Sequence, residues 1–484
     1  MPGQVTVIEK PVNDLPKPIE FSPDRTLLPK KSGNRFTRYF KCTSTILTRG
    51  HKSLIYSSSV GFFTTYRSLF SLIFITNLVT LIGFSIKNNG VPSQNDVATA
   101  SSVNLTIALL FRQEDFINLC YEIICLTPHS FPLSIRRRLA KLFHYGGIHS
   151  GAGTASCLWF FLYLGLITKD WIQNKSNSNF VNFILCYVVA LMLITILVVA
   201  HPHFRRVLHD YFEAGHRFSS WVSLFTFWIY MGLAGHESAK AEGIPLGTYF
   251  AQSPNFWCFI ISTSVVLLSW LRLRPREVYP EFLSDRVIRL HFKHRNIEPF
   301  YGHRFSTSPL FEWHGFATIP DKDEDGKPKG FSILVSKAGD WTSSVIANPP
   351  KRLWTRGYPT HDLLTTSRLF DRVVVVATGS GIAPCLSMFQ ANIHASRRII
   401  WSTPNPEKTY GPKIMSAVLE ADPDAVVWDT RVLGRPDLIA LTYDIVVQSK
   451  AEAVYIVSNA KLSKDVVYAM ETRGIPAYGP IFDH

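Results

Sequence analysis

The amino-acid sequence predicts a multi-domain membrane protein: a six-helix transmembrane bundle, then an antiparallel β-barrel, then a doubly wound α/β domain. Three observations predict this. Apolar runs of about 20 residues, long enough to cross a bilayer, recur between residues 56 and 274. After Pro275, short β-rich runs separated by polar turns replace them. From about Leu369, strands of continuous β-branched residues alternate with helical segments.

The composition agrees with this class and excludes others. Hydrophobic residues make up 46% of the 484 residues and charged residues only 18%, and the mean hydropathy is positive. The net charge of +14 could indicate nucleic-acid binding. The basic residues instead flank the apolar segments, as a cytosolic membrane face requires, so we expect no nucleic-acid partner. Seven cysteines without a CxxC pair indicate neither a zinc site nor a disulfide framework.

Four segments meet the length of a membrane span and two are weaker. The four are residues 62–86, 145–168, 180–200 and 218–235. Residues 255–271, the last segment and the sixth span in chain order, are short but uncharged. The remaining segment, 97–126, is interrupted by Arg112, Glu114 and Asp115, and charges at that depth are costly unless they face a bundle interior. We count it as a span because the basic loops on either side of it then fall on the expected sides of the membrane.

The distribution of lysine and arginine sets the orientation. Basic residues crowd before the first span, between spans 2 and 3, between spans 4 and 5, and after span 6, whereas the alternate loops hold four lysines. Both termini are therefore expected in the cytosol. The protein itself is expected in the plasma membrane or an endomembrane. The sequons at Asn104 and Asn174 fall on the opposite side, which permits glycosylation.

These observations predict four parts in order along the chain. They are a flexible cytosolic tail (1–55), the transmembrane domain (56–274), the β-barrel (275–366) and the α/β domain (367–484).

A glycine-rich turn follows the first strand of the α/β domain. Residues 372–378 form the strand, Gly379, Ser380 and Gly381 follow, and Pro384 falls in the first turn of the next helix. Glycines at such a turn let the backbone approach a pyrophosphate, and the helix N-terminus supplies free N–H groups. We therefore expect a dinucleotide at this turn; a purely structural turn is the alternative.

Three further motifs precede this turn. Residues 313–317 read W-H-G-F-A, residues 339–342 read G-D-W-T, and residues 356–359 read R-G-Y-P. In this order, and followed by the glycine-rich turn, they resemble the motifs of ferric reductases and NADPH oxidases, and through them of ferredoxin reductases. The resemblance covers about residues 60–484. It is strongest to fungal transmembrane flavoproteins of the TmpA type, whose relatives are also found fused to adenylate-forming domains.

The resemblance implies a bound FAD. The ferric-reductase motif is W-H-P-F-T, so His314 and Phe316 match, while the proline and the threonine with its hydroxyl contact are lost. Gly339, Trp341 and Thr342 match the turn that cradles the FAD pyrophosphate. Residues 304–306 also resemble a flavin motif of soluble reductases, but their place before Trp313 favours the preceding strand.

The resemblance also implies a nicotinamide dinucleotide after the second strand of the α/β domain. There Lys408 could pair with the 2′-phosphate and Tyr410 could stack on adenine, with a solvated loop as the alternative. No acidic residue closes this strand to bind a ribose 2′-hydroxyl, which favours NADP over NAD. Near the C-terminus, Tyr478 or Phe482 could cover the flavin ring, as aromatic residues do in relatives.

Ferric reductases carry two haems, each held by one histidine from span 3 and one from span 5. Here His144 and His216 could form an inner pair, with His149 as a rival to His144. Leu158 and Ile229 occupy the outer positions and cannot ligate iron. We expect the histidines to lie at the lipid headgroup level and the protein to bind flavin without stoichiometric haem.

The sequence therefore predicts a membrane-anchored NAD(P)H-dependent flavin oxidoreductase. Electrons would pass from cytosolic NAD(P)H through FAD to an unidentified acceptor, and the resemblance implies a role in redox balance or development. Two alternatives remain: a haem-containing transmembrane reductase, and a non-catalytic nucleotide-binding redox sensor, since the flavin motifs are eroded. The sequence assigns no catalytic residue.

Overall fold

The computed structural model describes residues 64–173, 179–207, 209–391 and 395–481. The predicted cytosolic tail, the sequon at Asn174 and Phe482 lie outside these ranges. Within them, helices come first and strands follow. The helices before the first strand are α1 Thr65–Lys87, α2 Gln94–Leu110, α3 Glu114–Cys125, α4 Leu133–Leu139, α5 Gly146–Ile172, α6 Phe180–Ala200, α7 Pro202–Val207, α8 His209–Glu242, α9 Leu246–Gln252 and α10 Pro254–Leu271.

Four helical stretches in the described ranges are long and apolar enough to cross a membrane: α1, the stretch Leu133–Ile172, α6 and α10. The sequence predicts six spans. The fifth predicted span in chain order, residues 218–235, lies within α8, which contains the buried hydroxyl residues Ser219, Ser223 and Thr226.

The segment predicted as the second span, 97–126, is two helices instead of one. The chain breaks between α2 and α3, where Glu114 accepts a hydrogen bond from Ser269 Oγ at 2.5 Å and Asp115 pairs with Arg272 at 2.6 Å. Both acidic side chains therefore find polar partners at the end of α10. In a continuous span they would face lipid, where an unpaired charge is costly. Only α2 packs within the bundle.

α3 instead packs against the C-terminal part of the chain. The side chain of Asn118 donates to the carbonyl oxygen of Pro359 at 2.8 Å and accepts from the N–H of His361 at 2.9 Å. Glu122 lies 2.8 Å from His361 Nε2. The structure also corrects the view of Asn104 as a glycosylation site, since Asn104 is buried on α2 and hydrogen-bonded to Asn77.

The helices of the bundle bury polar residues and expose apolar ones. α2 buries Ser101, Ser102 and Thr106. α8 turns one apolar stripe outward, formed by Phe218, Val222, Phe225, Ile229 and Leu233, which are all more than a third exposed. The spacing of three and four residues places this stripe on one helical face.

The strands form two antiparallel sheets and one parallel sheet. The strands are β1 Arg274–Glu277, β2 Tyr279–Phe282, β3 Val287–Phe292, β4 Tyr301–Ser306, β5 His314–Ala317, β6 Ile319–Lys322, β7 Pro328–Ser336, β8 Arg352–Thr355, β9 Thr360–His361, β10 Arg372–Thr378, β11 Ser396–Thr403, β12 Val426–Asp429, β13 Ala453–Val457 and β14 Ala477–Tyr478.

The antiparallel domain, β1 to β9, consists of two separate sheets and is not the closed barrel that the sequence predicts. One sheet has the order β1-β8-β4-β5, with β9 on β4, and the other has the order β2-β3-β7-β6. At Thr318, between β5 and β6, the chain leaves the first sheet for the second. Both sheets share one core, in which Phe292, Phe305 and Phe331 are fully buried. The 8-residue helix α11, Asp340–Ala347, packs on β7.

The α/β domain is doubly wound, as the sequence predicts. Its parallel sheet has the order β12-β11-β10-β13-β14. Alternate side chains of β10 enter two cores: Val373 and Val375 one, Val374 and Val376 the other. The helices that cover it are α12 Ile382–Phe389, α13 Pro406–Tyr410, α14 Pro412–Ala421, α15 Leu438–Ser449 and α16 Ala460–Glu471.

A buried ion pair joins the bundle to the α/β domain. Arg136 of α4 makes two hydrogen bonds of 3.1 Å to the carboxylate of Glu452 and one of 2.8 Å to the carbonyl oxygen of Leu369. The Arg136 side chain is only 6% exposed. The cluster of arginines that the sequence assigns to a membrane face therefore also forms a domain contact.

Candidate functional site

The glycine-rich turn lies at the carboxyl end of β10, beside β13. The strand order reverses between these two strands, and in doubly wound sheets ligands bind at this crevice. Gly379 has φ +52°, a left-handed conformation that side chains disfavour. Its carbonyl oxygen accepts a hydrogen bond of 3.0 Å from Trp401 Nε1. This hydrogen bond from a buried tryptophan fixes the turn. Nothing in the sequence pattern marks Trp401 for this role.

Gly381 has a different role from Gly379. Its backbone is ordinary, but an added Cβ would collide with the carbonyl oxygen of Val457. An added Cβ at Gly379 would meet only the Tyr410 hydroxyl, at 3.7 Å. Close packing therefore requires glycine at 381, and the left-handed turn requires it at 379. Ser380 lies between them, and Pro384 is in the first turn of α12, as predicted.

The two residues expected at the adenosine end lie in different surroundings. Lys408 is exposed on α13. Tyr410 is 4% exposed and its ring packs edge-on against Trp401, with centroids 5.2 Å apart. The structure therefore buries the ring that the sequence analysis expects to stack on adenine. Tyr478 is also buried, against Tyr455 and Phe370, so it does not offer an open face to a flavin.

Three of the residues expected to bind flavin come together on β5 and α11. The rings of His314 and Trp341 are stacked with centroids 4.2 Å apart, and Phe316 lies 5.7 Å from the same indole. Trp341 Nε1 donates to Thr307 Oγ1 at 3.3 Å. The tryptophan thus covers this face of β5.

The turn 339–342 is the start of helix α11. The hydroxyl oxygen of Thr342 accepts hydrogen bonds from the N–H groups of Ala338 and Gly339, both at 2.9 Å. The sequence analysis expects this turn to bind a pyrophosphate. In the structure the hydroxyl of Thr342 closes the turn on itself.

The glycine-rich turn and strand β5 are neighbours. α12, which begins directly after Gly381, packs on β5 and β6, and the turn contacts the end of β7. The backbone N–H of Phe300 donates to Ser387 Oγ of α12 at 2.9 Å. Two motifs about 60 residues apart in sequence are therefore brought to one junction between the two domains.

The opposite face of β5 opens into a large cavity. The cavity has a volume of about 1500 Å³ and extends into the helical bundle. Arg304 of β4 is paired in register with Gly315 of β5, and both line the cavity with Trp313 and Arg356. An added Cβ at Gly315 would meet nothing within 4 Å. This face of β5 therefore has room for a flat ligand.

The cavity wall beside β5 is cationic. The guanidinium of Arg356 lies between the rings of Trp270 and Trp313, at 4.7 and 4.8 Å. Burial and the nearby charges of Arg304 and Arg217 lower the pKa of Arg356 to about 9. In the part of the chain that the structure describes, neither Arg304 nor Arg356 has a carboxylate within ion-pair distance. Glu114 and Glu213 line the same cavity and partly offset the lowering of the Arg356 pKa. The two arginines remain available to pair with an anionic ligand.

Inside the bundle, the cavity reaches a pair of histidines. The rings of His149 and His216 have centroids 6.4 Å apart. His149 Nδ1 is 2.8 Å from the carbonyl oxygen of Ala108, which leaves Nε2 for another partner. The sequence favours His144 over His149 as the partner of His216, whereas the structure pairs His149 with His216. His144 packs against Phe143 at 4.3 Å.

Sequence reasoning missed three residues of this site. Arg304 and Arg356 fall within segments that the sequence analysis noted only for their motif patterns. Trp401 falls within a buried strand. Arg304 and Trp401 each lie in a strand, and the direction of a strand side chain depends on register. Arg356 follows β8, and nothing local marks it.

A family model described as the C-terminal domain of adenylate-forming reductase 03009 matches residues 363–484. Adenylate-forming reductase 03009 of Coprinopsis cinerea is 42% identical over 422 residues, which are 87% of this chain and 40% of that protein. Adenylate-forming reductase 06235 of the same fungus is 39% identical over 424 residues, with the same shares. The chain thus spans about two fifths of the length of these curated relatives.

Two solved structures were also compared. A ferredoxin NADP+ reductase from Neisseria gonorrhoeae with bound FAD and NADP is 15% identical, with a TM-score of 0.34, over 43% of this chain and 98% of that one. A flavohemoglobin from Malassezia yamatoensis with bound FAD and heme is 13% identical, with a TM-score of 0.36, over 80% of this chain and 96% of that one.

Proposed function

We propose that this protein is an NAD(P)H-dependent flavin oxidoreductase held at a membrane by its helices. The observation that carries the proposal is the junction between the two C-terminal domains. There the left-handed turn at Gly379, at the switch point of a doubly wound sheet, lies next to the strand that carries His314 and Phe316. The similarity to fungal reductases over most of the chain supports the same reaction class.

The residues around β5 fit an FAD. Trp313 and Gly315 would border the ring system on the cavity side of β5, and Arg304 and Arg356 would neutralise the diphosphate. Bound FAD would supply the chemistry, by accepting a hydride from the nicotinamide ring. The protein's part is to hold the two rings against each other and to keep water from the junction. Trp341 would cover the His314 side of the strand.

The turn at residues 379–381 and the start of α12 would hold the dinucleotide diphosphate through backbone N–H groups. Lys408 would pair with the 2′-phosphate of NADP. The nearest acid on the next strand, Asp429, is occupied, because its Oδ1 accepts hydrogen bonds from the backbone N–H groups of Asn405 and Arg431 at 3.0 and 2.8 Å. This supports NADP over NAD.

We further propose that the helices place the protein in a membrane as a six-span bundle over residues 56–274, with both termini in the cytosol. The four long apolar helices and the outward apolar stripe of α8 support this. Residues 275–366 would bind FAD and residues 367–484 the nicotinamide dinucleotide. The electron acceptor would be cytosolic or within the membrane.

Steady-state oxidation of NADPH by the purified full chain, with ferricyanide as an artificial acceptor, tests the proposal. We expect turnover that depends on FAD and falls in Lys408→Glu through a raised KM, while kcat changes little. The exposed Lys464→Glu on α16 is the matched control. A protein that binds FAD and NADPH without turnover would be a redox sensor instead.

A second candidate is a haem-containing reductase, and the His149–His216 pair favours it. With metal–nitrogen bonds of about 2 Å on each side, two imidazoles on one iron have ring centres about 6 Å apart, as these two rings do. His149 and His216 would hold the haem, and the haem would supply one-electron transfer. A Soret band that is lost in His149→Ala and His216→Ala but kept in His144→Ala would establish this form.

A further inference from the structure

The turn between β4 and β5 carries two apolar side chains that the protein leaves outside. Leu310 is 46% exposed and Phe311 is 59% exposed. The turn is not loose: the N–H groups of Phe311 and Glu312 both donate to the carbonyl oxygen of Ser308, at 3.0 and 3.2 Å. Two large apolar groups are therefore held on the surface by a fixed backbone.

Helix α8 sets the position of this turn. Arg217 Nη1 donates to the carbonyl oxygen of Leu310 at 2.6 Å, and the rings of Phe311 and Phe218 have centroids 6.4 Å apart. Arg217 is the last charged residue before the apolar stretch 218–235. The turn therefore lies level with the boundary between the charged and apolar parts of α8.

The outer surface beside the turn is apolar. The outward stripe of α8 begins at Phe218 and continues along the helix, so Phe311 extends it by one more side chain. Trp221, which contacts Phe218, and Trp270 line the cavity and are not part of this outer surface.

We propose that Leu310 and Phe311 dock the antiparallel domain on the cytosolic leaflet, at the boundary between headgroups and acyl chains. The proposal rests on the membrane anchoring proposed above. The occupant is lipid because the exposed patch of Leu310 and Phe311 continues without a break into the apolar stripe of α8. Whatever covers that helix covers the turn.

This contact would position β5, the strand that borders the proposed FAD site. The turn leads within two residues into β5, and Trp313 Nε1 donates to the carbonyl oxygen of Pro309 at 2.9 Å. A membrane that holds Leu310 and Phe311 therefore fixes the height of β5, and with it the cavity face at Gly315, above the bilayer.

Photocrosslinking of the full chain in lipid nanodiscs tests the contact. Benzoylphenylalanine replaces Phe311, Phe282 or Leu191 in turn, and mass spectrometry identifies the adducts. Phe282 is the matched control: it is 61% exposed on β2, next to Glu281, which pairs with Lys413 of the α/β domain. Leu191, 59% exposed on α6, reports insertion of the bundle. None of the three replacements removes a core side chain.

We expect lipid adducts at positions 191 and 311, with a several-fold lower yield at position 282. Adducts at 191 with none at 311 would overturn the dock and leave the membrane anchoring in place. No lipid adduct at 191 would overturn the anchoring and the dock together. An adduct at 311 to a second protein chain would replace the lipid contact with a protein interface. NADPH oxidation is measured separately, so loss of the dock and loss of the proposed activity are distinguishable.

Discussion

The bundle and the α/β domain distribute their side chains in opposite ways. α2 and α8 bury serine, threonine and asparagine and expose phenylalanine, valine and leucine. In the α/β domain β10 buries all of Val373 to Ala377, and charged side chains such as Lys413, Lys461 and Asp465 are exposed on its helices.

The proposed membrane location accounts for this difference, because the two regions would then face different solvents. Burial of apolar surface drives folding only where water is the alternative. Where lipid is the alternative, an outward phenylalanine costs nothing, and buried hydroxyl and amide groups join helices by hydrogen bonds. The pairs Asn77–Asn104 and Ser101–Ser156 in the bundle are of this kind.

The largest effect is expected where the two regions meet. Arg136→Leu leaves Glu452 without its partner in a buried pair, and such a loss costs about 3 kcal/mol or more. We expect a clearly lower midpoint of thermal unfolding for the α/β domain in the full chain. Arg138→Leu, at an exposed neighbouring position, should leave the midpoint unchanged. Equal midpoints for both variants would show that the two regions are not coupled.

A charge on the outward stripe tests the comparison itself. Phe225 is 69% exposed and Val432 is 76% exposed. In water, lysine at either position would be harmless. In a bilayer, Phe225→Lys should destabilise insertion by about 2.5–3.5 kcal/mol if the position is near the centre. We expect loss of membrane-integrated protein for Phe225→Lys and normal yield for Val432→Lys, as measured by flotation and carbonate extraction.

Two glycines separate backbone strain from ligand binding. Gly379 has φ +52° and Gly474 has φ +79°, so alanine at either position costs about 1–2 kcal/mol through the left-handed backbone. We expect Gly379→Ala to weaken NADPH binding about tenfold, which corresponds to about 1.4 kcal/mol, with bound flavin retained. Gly474→Ala should lower stability alike without changing NADPH affinity. If Gly379→Ala and Gly474→Ala bind NADPH with equal affinity, the turn at Gly379 has only a structural role.

The smallest effect concerns a histidine in the antiparallel domain. Burial opposes protonation of His291, but Asp321 and Glu281, at 2.7 and 3.0 Å, raise its pKa above the usual range. The stability that it contributes is present below about pH 6.5 and is lost as pH rises through the folded-state pKa. We expect His291→Gln to remove this pH dependence, worth at most about 1 kcal/mol. If the free energy of unfolding changes with pH in the same way in His291→Gln as in the unchanged protein, the prediction is contradicted.

Much of the fold could be predicted from the sequence because it depends on local patterns. The strand 372–378 and the turn after it were predicted to the residue, since β-branched continuity and two glycines are local signals. The second span was not, because nothing local shows that Glu114 finds Ser269 and Asp115 finds Arg272. The prediction of a β-barrel was wrong for a similar reason. At Thr318 the chain passes from one sheet to the other, and this crossing depends on packing that no local pattern shows.

The candidate site divides in the same way. The sequence pointed to His314, Phe316 and Trp341, and the structure brings their rings together. It could not show that Thr342 and Tyr410 are occupied within the fold, or that Arg304 faces the cavity. Those facts depend on strand register and on contacts between residues far apart in sequence.

The visible spectrum of the purified full chain, recorded without oxygen before and after addition of NADPH, tests the central proposal most directly. The account predicts the absorbance of an oxidised flavin, bleached by NADPH faster than by NADH, and much more slowly in Gly379→Ala than in Gly474→Ala. A protein that carries no flavin after purification with FAD, or a flavin that neither nucleotide bleaches, would contradict it.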